Sequence, residues 1–101
     1  MNIDINMLNC NILVSEITEE ILVNGVMTIY DSESPYMFCK IIKMSDEARK
    51  ELNLLDNDIL VIKRYAKEEF ISGLYFISWK DVRCKISEDD FKNVLSEGIN
   101  F

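Results

Sequence analysis

The stretch from residue 54 to residue 86 constrains the fold more than any other part of the chain. It opens with Leu54-Leu55-Asp56-Asn57-Asp58 and runs into Ile59-Leu60-Val61-Ile62, then Lys63-Arg64-Tyr65. After a polar link come Gly73, the run Leu74-Tyr75-Phe76-Ile77-Ser78-Trp79, then Lys80-Asp81 and Val82-Arg83-Cys84-Lys85-Ile86. Three short segments rich in β-branched and aromatic residues, separated by turn formers, predict three strands. Asp56, Asn57 and Asp58 tolerate left-handed backbone, which predicts a reversal just before Ile59. In 82–86 a clean alternation predicts Val82, Cys84 and Ile86 inward, with Arg83 and Lys85 outward. The other two runs are apolar at both parities. Such strands are expected to be covered on both faces, inside a closed barrel or at a subunit interface.

With 101 residues the chain is expected to form one domain, 1–101, whose core is modest enough that association would help it. A hydrophobic content of 49% beside 29% charged residues is that of a globular chain rather than a disordered one. No apolar run approaches the ~18 residues of a membrane span, and no charged-then-apolar leader pattern opens the sequence, so a cytoplasmic protein is expected. Charge is uneven. Residues 1–39 carry six acids (Asp4, Glu16, Glu19, Glu20, Asp31, Glu33) and no Lys or Arg, whereas 40–101 carry eleven bases and twelve acids. A net charge of −7 repels phosphate backbones and argues against nucleic acid as a partner. Cys10, Cys39 and Cys84 are odd in number and far apart, and the chain has no His. No structural metal site or cofactor is expected from such a set, and the three cysteines read as reduced small hydrophobes.

Ile3, Ile5 and Met7 alternate with polar neighbours, and then Leu8, Cys10, Ile12 and Val14 alternate at the opposite parity. The change predicts a bulge or a switch of face, with the first half of the strand available to pair with another chain. Ile21-Leu22-Val23 and Val26-Met27-Thr28-Ile29 flank Asn24-Gly25. That dipeptide is a strong hairpin signal, yet short apolar runs with polar, acidic flanks also suit a long loop, mobile over 18–34, with an apolar binding tip. Residues 39–44 read as a further strand. Ser45 caps a short helix near 46–52, and Ser87, with Asp90 three residues on, caps another near 88–97 that Gly98 stops. Phe91, Val94 and Leu95 share one face of that last helix.

In order, these blocks resemble the chaperonin-10 (GroES-like) co-chaperonins over about residues 8–86. Leu8-Asn9-Cys10-Asn11-Ile12-Leu13-Val14 is similar to the family's first strand, and Asn24-Gly25-Val26-Met27-Thr28 falls where its mobile loop carries Gly-Gly and an apolar triplet. Residues 39–45 resemble the third block, Asn57 to Tyr65 the fourth, and Gly73 to Ile86 the last. The chain departs from the family at Asn24, Cys39, Ser45 and Asn57, where glycines are usual. Residues 46–53 replace the Gly-rich hairpin that roofs the family's dome, and the helix after Ile86 is an extension.

The resemblance implies an all-β, small, partly open barrel over about 8–87 with short helices, followed by a C-terminal helical extension, 88–101. It also implies a homo-oligomeric ring, a heptamer in the family. There the N-terminal strand of one subunit (Ile3, Ile5, Met7) pairs with the last strand of its neighbour (Val82, Cys84, Ile86). Gly25, Val26, Met27, Thr28 and Ile29 would then enter an apical groove of a GroEL-type chaperonin and cap it to assist protein folding. The alternative is a structural or adaptor ring protein that keeps the fold without chaperonin binding. An enzyme is not expected: Glu19-Glu20 and Asp89-Asp90 suit solvated acids, and no phosphate loop or nucleophile motif is present.

Overall fold

The computed structural model describes residues 4–18, 20–29 and 35–101, with the backbone alone at 20 and 27–29. Among the described residues, eight strands and two α-helices follow one another along the chain, with two single 3-10 turns besides. They are β1 (Asn11–Ile17), β2 (Glu20–Val23), β3 (Val26–Ile29), β4 (Tyr36–Met44), α1 (Asp46–Leu52), β5 (Ile59–Lys63), β6 (Glu68–Ile71), β7 (Leu74–Ser78), β8 (Val82–Ile86) and α2 (Glu88–Glu97). Six strands form one antiparallel sheet in the order β6-β7-β1-β4-β5-β8, and β2 and β3 form a separate two-stranded sheet. β6 and β8 are opposite edges of the large sheet and do not pair with each other, so it is not a closed barrel.

Coverage of both faces follows from the runs that are apolar at both parities. Met37, Cys39 and Ile41 of β4 join Ile12, Val14, Leu60, Ile62 and Ile77 in one buried cluster, closed over by Ala48 of α1 and by Leu54. The intervening residues point the other way, since successive strand side chains alternate between faces. Phe38 and Ile59 therefore meet Ile21 of β2 and Phe91 of α2 in a second cluster. The central strands are thus covered by α1 on one side and by the hairpin with α2 on the other. This takes the place of the barrel interior expected from sequence.

Both helices start where the caps predict. Ser45 accepts from the Ala48 amide, and Ser87 from the Asp90 amide. Leu95, expected to share a face with Phe91 and Val94, is exposed, while Phe91 reaches the core and Val94 its margin. Left-handed backbone falls at Asn53 (φ 50°), which ends α1, rather than at residues 56–58. There the turn is closed by the buried Asp58, whose carboxylate accepts from the Leu55 amide at 2.9 Å. The polar link forms β6, an edge strand whose residues are all exposed.

At the N-terminus, residues 4–8 form no strand, and β1 begins at Asn11, after a turn in which Asn9 adopts φ 58°. That turn is the physical form of the parity change at residues 7–8. None of the helices among the described residues is long and apolar enough to cross a membrane.

Candidate functional site

The β2–β3 hairpin is built from its turn outward. Asn24 and Gly25 both take positive φ (48° and 81°), the geometry of a type I′ turn, whose twist matches that of the flanking strands. Asn tolerates this region because its short side chain bonds locally, and Gly25 because it has no Cβ. The strands pair in register from Val23 opposite Val26 to Glu20 opposite Ile29. Of the two expectations for this region, the backbone takes the hairpin.

Burial is graded along the hairpin. Ile21 is 1% exposed and packs with Phe38, Ile59 and Phe91, and Val23 lies against the same cluster. The rings of Phe38 and Phe91 are 5.7 Å apart between centroids, which ties α2 to the sheet beneath the hairpin. Beyond Val23 the chain emerges into solvent, and Val26 is 67% exposed. The base is anchored and the tip is presented. Met27, Thr28 and Ile29 lie on β3, and their side chains are outside the described residues, as are residues 30–34.

The C-terminal segment completes this unit. After α2, Ile99 forms a parallel bridge with Val23. Its amide donates to the Leu22 carbonyl at 2.7 Å, and the Asn24 amide donates to the Ile99 carbonyl at 2.8 Å. The Phe101 amide donates to the Asn24 side-chain Oδ1 at 2.8 Å. In sequence Gly98 marks a helix stop, and the bridge at Ile99 carries no pattern of its own. The signal available was Ile99, an apolar residue directly after the stop.

The second set of candidate residues lies on the β8 side. Val82 and Ile86 are half-buried, but Cys84, expected inward, is exposed. Among the described residues β8 is an edge that pairs with β5 alone, and a bulge between Val61 and Ile62 shifts its register. Ile5 and Met7 are half-buried in the segment before β1, and Ile3 lies outside the described residues. Lys85 of the same strand donates to the Leu52 and Asn53 carbonyls (3.1 and 2.6 Å), satisfying the open C-terminus of α1. Partial desolvation by its neighbours raises the Cys84 thiol pKa although the residue reaches solvent, and burial with the nearby Glu16 carboxylate pushes that of Cys39 up to about 12. Both are held as neutral thiols, a poor state for a nucleophile or metal ligand. Among the described residues no group of His, Cys, Asp or Glu side chains could hold a metal ion. Comparison with family models, with curated proteins and with solved structures gives no match to this chain.

Proposed function

We propose that this chain is a co-chaperonin-like ring subunit that caps a GroEL-type chaperonin through the β2–β3 hairpin. The observation that carries the reading is the hairpin's graded burial, with Ile21 in the core and Val26, next to the Asn24-Gly25 turn, largely exposed. An apolar residue displayed in this way suits insertion into an apolar groove of a partner. The order of sequence blocks that resembles the GroES-like family adds to it. In this reading the open six-stranded sheet is the family's partly open barrel, and the exposed edge of β8 receives residues 3–7 of a neighbouring subunit. Such pairing removes an edge strand that would otherwise invite aggregation. Several weak tips then act together, because tethering in a ring makes each later contact effectively intramolecular.

The test is Val26→Asp, assayed for binding to a nucleotide-loaded chaperonin. The exposed position predicts a melting temperature within about 4 °C of the parent, since surface substitutions rarely cost more than ~0.5 kcal/mol. Binding should be lost, because the carboxylate would be desolvated at the contact. Unchanged binding would contradict the assignment of the hairpin tip.

A further inference from the structure

We infer that residues 98–101 are a positioning strap that fixes the pose of the β2–β3 tip, with Gly98 and Asn24 as its two fittings. A two-stranded hairpin with four residues per strand is marginal in water, and a third strand is what usually stabilises one. Here the added pairing comes from after α2, as a single bridge rather than a full strand. It runs parallel to β2, bonded through Ile99 to Leu22 and Asn24.

Gly98 makes the approach possible in two ways. Its φ of +84° turns the chain out of α2 in a conformation that L side chains rarely adopt. A Cβ there would also stand 2.7 Å from both the Leu22 Cβ and the Leu22 carbonyl oxygen, so the strap could not lie this close to β2. Asn24 closes the other end: its backbone amide donates to the Ile99 carbonyl, and its side-chain oxygen accepts from the Phe101 amide. The turn residue that sets the hairpin's twist is therefore also the one the strap grips. The consequence for partner binding rests on the function proposed above. A strapped tip enters a groove already ordered and loses less conformational freedom than a free loop would.

The experiment is amide hydrogen exchange on the chain ending at residue 98 and, separately, on Gly98→Val. Both retain Phe91, the buried residue of α2, and the shortened chain removes only Ile99 from the margin of its cluster. The expected result is exchange over residues 21–29 accelerated by about tenfold or more, with β1, β4 and β5 unchanged, as for a locally opened unit. Unchanged exchange over 21–29 in the shortened chain overturns the inference, and so does acceleration spread evenly over both sheets. Should Gly98→Val fail to fold, the shortened chain decides alone. No chaperonin enters this measurement, so its failure is separable from failure of the capping reading, which the Val26→Asp assay reports.

Discussion

Arg64 Nη1 donates to Glu16 Oε1 at 2.6 Å, and the two side chains retain only 13% and 20% of their exposure. The pair joins the end of β1 to the turn after β5, across a separation of 48 residues. The Arg64 amide also donates to the Pro35 carbonyl at 2.9 Å, so this turn holds the entry to β4. Largely buried pairs are costly to break, because the charge–charge attraction is lost while the remaining ion stays desolvated. Glu16→Ala should lower stability by about 2 kcal/mol and the melting temperature by about 10 °C. A scanning calorimetry trace unchanged from the parent would show the pair to be energetically neutral.

Trp79 gives the opposite expectation. Its indole Nε1 is buried with no hydrogen-bond partner among the described residues, while its ring packs on the cluster under α1. A buried donor left unsatisfied costs ~1–3 kcal/mol. Trp79→Phe removes that donor and keeps an aromatic ring, so stability in urea should be unchanged or higher. A loss of more than about 2 kcal/mol would mean that ring volume outweighs the missing bond.

Cys39 makes stability depend on alkaline pH. Its thiol, with an ordinary pKa of 9.0, is pushed up to about 12 in the fold by burial and by Glu16. Between those values the unfolded chain releases the proton and the folded chain keeps it, so stability falls as pH rises from about 9 towards 12. The slope from this group is at most about 1.4 kcal/mol per pH unit. Cys39→Ala removes it. The stability advantage of the parent over the variant should therefore shrink above pH 9, as measured by denaturant melts at stepped pH. Parallel curves would contradict the assignment.

What was legible in the sequence was what leaves a local signature. Asn24-Gly25 marks the hairpin turn, although the short runs beside it suit a long loop as well; Ser45 and Ser87 mark the helix starts, and the double-faced run at 59–62 the cover on both sides. The misses share a cause. β6 is exposed on every residue and has no burial pattern to read. Cys84 sits on an edge strand, where the alternation of 82–86 does not guarantee a core on the inner side. The left-handed residue of this region is Asn53, ending α1, because Asp58 closes the following turn with its carboxylate instead. The strap after Gly98 depends on contacts 77 residues apart in sequence, which no local pattern encodes.

Assembly gives a further prediction. If residues 3–7 pair with the β8 edge of a neighbour, removal of residues 1–7 should convert a ring into monomers of about one subunit mass in light scattering. An intact chain that is monomeric at high concentration would contradict ring formation, and a ring that survives the deletion would place the interface elsewhere.

The capping of a chaperonin is the central claim, and co-sedimentation of the intact protein with a GroEL-type chaperonin, with and without nucleotide, tests it most directly. The account predicts that the protein pellets with the chaperonin when nucleotide is present, and that Val26→Asp abolishes this. An assembled ring that stays in the supernatant under both conditions would contradict it.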